Sequence, residues 1–250
     1  MSGHSKWSQI KRQKGANDAK RGAVFTKVAR EIAMAAREGG GDPDANFKLR
    51  LAMEKARAVN MPADNIKRAI ERAAGAGEGV QFEEIAYEGY GPGGVAILVE
   101  AATDNRNRTA ADIRAIFTKA GGQLAGAGAV AWQFEPRGLI AIARGSGDAD
   151  EVALLAIDAG ADDVDSQSDP IEVLTDPAQL ETVRRGLEAA GVRVESAELT
   201  MRARNVVEVD GPHARQNLRL IEALEDHDDV QRVTANFEIP DDVFAEAASA

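Results

Sequence analysis

The hydrophobic period of this chain changes once, near residue 80, and that change bounds what it can fold into. Before residue 75, apolar residues recur at helical spacing. After residue 80 they fall into short strand-length runs alternating with helical ones. In the first stretch, Asn17 or Asp18 can cap a helix running to about Arg37, which Gly39-Gly40-Gly41 ends. Phe25, Val28, Ala29, Ile32 and Ala36 share one stripe of it. Lys20, Lys27, Arg30 and Arg37 cluster opposite, and Arg21 falls near the apolar side. Asp44 is expected to cap a second helix through Phe47, Leu51 and Met53 to about Val59. Pro62 opens a third, with Ile66, Ile70 and Ala74 facing inward. Three amphipathic helices with short connections make a bundle, and Gly75-Ala76-Gly77-Glu78-Gly79 reads as a linker.

Beyond the linker, strands are expected over 82–90 and 95–102 around the turn Gly91-Pro92-Gly93-Gly94, a helix over 105–120 and a strand over 129–134. A self-contained series follows: strand 139–143, helix 150–159, strands 163–166 and 171–174, helix 178–190, strand 194–201. This is the β-α-β-β-α-β order of a ferredoxin-like unit. A strand (206–209), a helix (215–224) and a strand (230–237) remain. They are too few to stand alone but can complete the unit begun at Val80. The fold class is therefore α+β: an N-terminal three-helix domain, then two α/β domains, one ferredoxin-like and inserted into the other. The expected bounds are 1–79 for the basic bundle, 80–136 plus 203–240 for the discontinuous domain, and 137–202 for the insert. Residues 241–250 read as a frayed acidic tail.

Charge is divided as sharply as period. Residues 1–72 hold 16 Lys+Arg and 8 Asp+Glu, a net of +8; the remainder holds 14 and 33, a net of −19, which together give the −11 of the chain. Such a polarised field can steer the basic end onto a polyanion while the acidic body stays in solvent or meets another partner. The chain has no Cys, which excludes disulfides, thiolate metal sites and a Cys nucleophile, and suits a reducing compartment. No run of about 18 apolar residues exists to span a membrane. The N-terminus lacks the apolar stretch of a secretory signal. It is basic and acid-poor like a mitochondrial presequence, but a cytoplasmic location is the expectation.

Between Ser5 and Arg30 stand Lys6, Lys11, Arg12, Lys14, Lys20, Arg21, Lys27 and Arg30, with Asp18 the lone acid. Lysine and arginine displace condensed counterions when they neutralise phosphates, so phosphate contact is the expected role; a solvated charged face is the alternative. Trp7, between Lys6 and Lys11, either stacks on an exposed base or anchors a core. The segment 103–109, between strand and helix, offers Arg106 and Arg108 to phosphate or RNA, while Thr103, Asp104 or Asn105 caps the helix. The glycines 89, 91, 93 and 94 lie before a strand rather than a helix, so they mark a hairpin and not a dinucleotide site. The acids at 158, 162, 163, 165 and 169 lack calcium-loop spacing. His4, His213 and His227 are isolated, and no nucleophile and base can be paired. No catalytic residue, metal or cofactor is expected.

Several ordered blocks resemble the YebC/PmpR family: Gly3-His4-Ser5-Lys6-Trp7, Ile10-Lys11, Asp18-Ala19-Lys20-Arg21-Gly22, Phe25-Thr26-Lys27, the block from Ala35 to Pro43, Asn60-Met61-Pro62 with Asp64-Asn65-Ile66, the block from Tyr87 to Gly94, and Thr103 through Thr109. With the length and the C-terminal pattern, the resemblance covers essentially the whole chain. It implies three domains around a central cleft and no enzymatic activity. It also implies one of two roles: a transcriptional regulator that binds DNA, or a translational activator that associates with the ribosome and helps it through proline-rich stretches. Where many relatives carry another basic residue, this chain has Gln13. Where they carry a Lys pair it has Pro136-Arg137, which weakens the basic face. The reading is thus a nucleic-acid-binding regulator of gene expression, its partner DNA or ribosomal RNA, with no membrane partner. The alternative is a ribosome-associated translation factor, towards which the two-signed charge leans, since a ribosome offers both RNA and basic protein. A small-molecule sensor or enzyme using the interdomain cleft is the further alternative.

Overall fold

In a computed structural model, residues 6–7, 18–74, 82–143 and 145–249 are described. Three helices come first: α1 (Asp18–Gly39), α2 (Phe47–Ala58) and α3 (Ala63–Ala74). Their common core is Val28, Ile32, Ala35, Leu49, Ala52, Ala56, Met61 and Ile66, small and aliphatic as the low aromatic content requires. Asn46, not the expected Asp44, caps α2. Its Oδ1 accepts from the Leu49 amide at 3.1 Å, and its Nδ2 donates to the carbonyls of Ala35 (2.7 Å) and Gly40 (2.8 Å). One buried amide thus closes α1 and opens α2, a role a carboxylate without donors cannot fill. The linker expected over 75–79 lies outside the described residues.

The first sheet has the order β3-β1-β2-β8, all antiparallel: β1 (Glu83–Tyr90), β2 (Ala96–Thr103), β3 (Gln123–Leu124) and β8 (Val230–Ala235). A turn at Pro92–Gly94 joins β1 to β2, with Gly93 and Gly94 at φ of 77° and 79°, where a side chain would be strained. On one face lie α4 (Arg106–Lys119) and α7 (Gly211–Glu225), which pack Ile113, Phe117, Leu218 and Ile221 against Ile97, Val99 and Val233. The other face carries Ala96 and Leu98 against Val130 and Phe134, so β2 is buried on both sides, as its unbroken apolar run dictates.

The second sheet has the order β5-β6-β4-β7, from β4 (Phe134–Ile142), β5 (Asp163–Asp165), β6 (Ile171–Thr175) and β7 (Val194–Ala203). Helices α5 (Ala149–Asp158) and α6 (Leu180–Ala189) cover one face through Val152, Ala156, Val183 and Leu187, packed on Ile140, Ile142 and Val173. In its own numbering this sheet runs 2-3-1-4, the ferredoxin-like order, and it is inserted before β8 completes the first sheet. Arg232 of β8 donates to the Leu199 carbonyl and the Glu198 carboxylate, joining the two sheets.

Four further expectations differ from the fold. The strand expected over 129–134 is a turn, with a single 3-10 turn at Ala131–Gln133. β4 then runs unbroken from Phe134, so the boundary expected at 136/137 falls inside a strand. Pro136 is tolerated there because β4 pairs with β6 only over Gly138–Ile142, leaving one side without a partner at that point. The strand expected over 206–209 reduces to a bridge between Val207 and Phe237. The tail expected to fray forms α8 (Asp241–Ser249), because Val243 and Phe244 close over the first core.

Gly89 faces the Phe117 ring so closely that an added Cβ would stand 2.6 Å from it and 2.8 Å from the Gln123 carbonyl oxygen. The backbone oxygen belongs to the β1–β3 pair and cannot retreat. Gly89→Ala is expected to lower stability by about 2 kcal/mol, read as a fall in the urea midpoint at unchanged slope.

Candidate nucleic-acid interface

Four of the eleven residues expected to contact nucleic acid turn inward along one seam. Lys6 is 5% exposed; its ammonium donates to the Ile239 carbonyl and the Asp241 carboxylate, each at 2.7 Å. Trp7 lies in the first core at 8% exposure, and its Nε1 donates to Glu225 Oε2 at 3.1 Å. Lys27 donates to the Glu225 carbonyl. Arg30 donates to the Asp228 carbonyl and to Asp229 Oδ1, both at 2.7 Å, and its guanidinium stands 4.9 Å from the centre of the Phe82 ring. The physical reason is α7. Its last turn has no basic residue and its final carbonyls form the negative end of a helix dipole, so cations from α1 supply the missing complement. Trp7 takes the core role of its two readings, and Lys6 reaches a polyanion only if its segment leaves the body.

Asp229 gathers this seam. Arg30 reaches Oδ1. Arg108 donates to Oδ2 at 2.9 Å, and the Thr109 hydroxyl donates to the same oxygen at 2.7 Å. Burial pushes the carboxyl's pKa up, but Thr109, Arg108 and Arg30 outweigh it and hold the group at about 2. In the segment 103–109 Asn105 is the cap of α4, accepting from the Arg108 amide at 3.1 Å. The Thr103 hydroxyl accepts from the Asn105 amide and stands 2.7 Å from the Thr109 hydroxyl. Arg108 also pairs with Asp104 at 2.7 Å and keeps its side chain 47% exposed. Arg106 faces outward at 69%, with Glu83 at 3.7 Å. Capping and outward display coexist in this loop.

Lys11, Arg12 and Lys14 lie outside the described residues, and Lys20 and Arg21 stand on α1. Cations outside the sequence clusters are exposed as well. Arg57 ends α2, Lys67, Arg68 and Arg72 line α3, and Arg114 and Lys119 share α4 with Arg106. Interspersed acids hid them from a reading based on charge clusters.

A cleft of about 520 Å³ lies where α1 and α2, the outer face of β1, β2 and β8, and the start of β7 meet. Seven glutamates line it against Lys48, Lys55 and Arg232. Burial raises the pKa of Glu100; Arg232 lowers it, and Glu84 and Glu198 push it up again. The cleft therefore repels phosphate.

The turn before β4 carries the one exposed aromatic ring among the described residues, Trp132 at 64%. Glu88, only 6% exposed, fixes that turn by accepting the amides of Gly128 and Val130 at 2.6 Å and of Ala131 at 2.7 Å. Burial raises the pKa of this carboxylate, and the three amides overcome that and lower it. The Tyr90 hydroxyl and Trp132 Nε1 both donate to the Ala129 carbonyl, at 3.0 and 3.2 Å. A strand-like run of Ala and Val concealed this turn in the sequence, although Gly126 and Gly128 stand at its entry. Among the described residues, no group of three or more His, Asp or Glu could hold a metal, and no helix is long and apolar enough to cross a membrane.

Two family profiles match: the TACO1/YebC protein N-terminal domain over residues 5–76, and the TACO1/YebC second and third domain over residues 82–237. A relative in Rubrobacter xylanophilus named "Probable transcriptional regulatory protein" is 56% identical, covering 99% of this chain and all of that one. One of the same description in Desulforapulum autotrophicum is 52% identical over 98% of this chain and 99% of its own. A conserved hypothetical protein of Aquifex aeolicus, solved by crystallography, superposes with a TM-score of 0.83 at 46% identity, covering 89% of this chain and 92% of its own.

Asp229→Asn leaves Arg30 in the seam without its anion and is expected to cost about 3 kcal/mol at neutral pH. A carboxyl lowered to about 2 contributes stability fully above its unfolded value of roughly 4, and loses it as pH falls towards 2. Urea unfolding of both proteins across that window should show the gap between them closing.

Proposed function

Because the chain belongs to the TACO1/YebC family, we propose that it is a nucleic-acid-binding regulator of gene expression that grips its polyanion with the basic end of the chain. The observation that carries this reading is the charge division, +8 over residues 1–72 against −19 beyond. Lys11, Arg12, Lys14, Lys20 and Arg21 supply the phosphate contacts, with Arg106 and the exposed part of Arg108 as a second patch. Lys6, Trp7, Lys27 and Arg30 act indirectly by holding that end against the body. The acidic cleft supports the same division of labour, since it leaves only the outer surface to phosphate. The relatives' names speak for transcription, hence DNA. The role requires no catalytic step, cofactor or membrane, and its place is the cytoplasm.

One observation favours ribosomal RNA instead. The acidic body, with its glutamate-lined cleft, would meet the basic protein surface that a ribosome offers beside its RNA and that naked DNA lacks. Sedimentation with ribosomes against excess duplex DNA, over a salt series, separates the two. Pelleting that DNA fails to displace selects the ribosome; DNA stripping the protein off selects the duplex.

Reversing Lys11, Arg12 and Lys14 to Glu together is expected to reduce affinity by more than tenfold and to flatten the salt dependence of binding to duplex DNA by about 2 to 3 logarithmic units per decade. The helical circular dichroism should be unchanged. Undiminished binding by this variant would remove the basic end from the mechanism.

A further inference from the structure

We infer that Trp132 is a stacking platform for an unpaired base, so that the nucleic acid bound has a single-stranded stretch on this face. The inference rests on the nucleic-acid reading above and adds to it the class of ligand. Of eleven aromatic side chains, ten are buried or half-buried, and this indole alone is open to solvent, at 64% exposure. Its display is built rather than incidental. The buried Glu88 carboxylate spends three backbone hydrogen bonds on Gly128, Val130 and Ala131, and Val130 is fully buried beneath the turn. The indole N–H is already satisfied by the Ala129 carbonyl. What the ring offers outward is therefore its π-face and not a hydrogen bond, and a fixed ring loses little freedom on binding.

The surroundings suit a nucleotide. Gly126, Ala127 and Gly128 are exposed at the entry to the turn, and the space above Gly126 is open, so a sugar and base can approach closely. Beside the turn, the Arg204 amide donates to the Gln133 carbonyl. The side chain of Arg204 is 57% exposed and that of Arg202 39%, paired with Glu135 and Asp163 at 3.4 and 3.5 Å. Ion pairs this open contribute little in water and can be exchanged for phosphate. A duplex hides its base faces in the stack; a single strand presents them, and an aromatic ring takes any of the bases.

The chain's two tryptophans make the test direct, because Trp7 is buried and Trp132 is not. Intrinsic emission of the full-length protein is followed while short single-stranded RNA, single-stranded DNA of the same sequence, or the matching duplex is added. Affinities come from the anisotropy of labelled strands. Single strands are expected to quench the wild type, and Trp132→Phe, which leaves only Trp7, should lose that quench. Trp132→Ala should weaken single-strand binding about tenfold without changing its salt slope, whereas Trp132→Phe, which keeps a ring, should bind nearly as tightly as wild type. The RNA and DNA arms show which strand is preferred.

Single-strand affinity unchanged in Trp132→Ala, while the Lys11, Arg12 and Lys14 reversal abolishes binding, would sink this inference and leave the regulator reading standing. Quenching by duplex as strong as by single strands would also sink it. If the wild type binds none of the three nucleic acids, both readings fall. An emission change caused by an RNA-free protein extract, and by none of the oligonucleotides, would overturn the inference in favour of a protein partner.

Discussion

A buried carboxylate, Asp229, holds the layers of this molecule in register. It stands at the start of β8 and receives Arg30 from the helical layer and Arg108 and Thr109 from α4. A lone buried charge would be costly; one with several donors is tolerated, and it fixes geometry because no other arrangement satisfies all of them. Lys27, Trp7 and Lys6 extend the same seam along the end of α7 to the start of α8. The helical layer is further tied to the inserted sheet by Leu51 within its core and by the ion pairs Arg50–Glu181 and Arg184–Glu54.

Much of the architecture was legible because it is local. Stripes such as Val28, Ile32 and Ala36 and the unbroken β-α-β-β-α-β series need only neighbours in sequence to declare themselves. What could not be read are partners far along the chain. Lys27 and Arg30 look alike in sequence whether solvated or docked, and their partners, the Glu225 carbonyl and the Asp229 carboxylate, lie about two hundred residues away. Asp44 and Asn46 are equally good caps in sequence, and the bonds of Asn46 to α1 decide between them. The two tryptophans were not separable either. Trp7 sits among lysines and is buried, while Trp132 sits among apolar residues and is exposed, the reverse of what their neighbours suggest.

The opposed charges of the two ends therefore act at two scales. At close range they are consumed, cation against anion, in making the seam and in the Arg50–Glu181 pair. At long range the imbalance left over still polarises the molecule, basic at one end and acidic through the body and its cleft. The docking of the basic end and its proposed attraction for a polyanion draw on the same residue types, so the strength of one limits the other.

The return of β8 after the inserted sheet has a consequence for how the molecule comes into being. The inserted sheet is continuous in sequence and can close as soon as its own residues leave the ribosome. The first sheet must wait for residues 230–235, and Lys6 and Trp7 wait for residues 225–241. During synthesis Lys6, Trp7 and Arg30 are made long before residues 225–241, which hold their partners in the seam. The seam thus closes late, when the inserted sheet that separates its partners in sequence can already have formed.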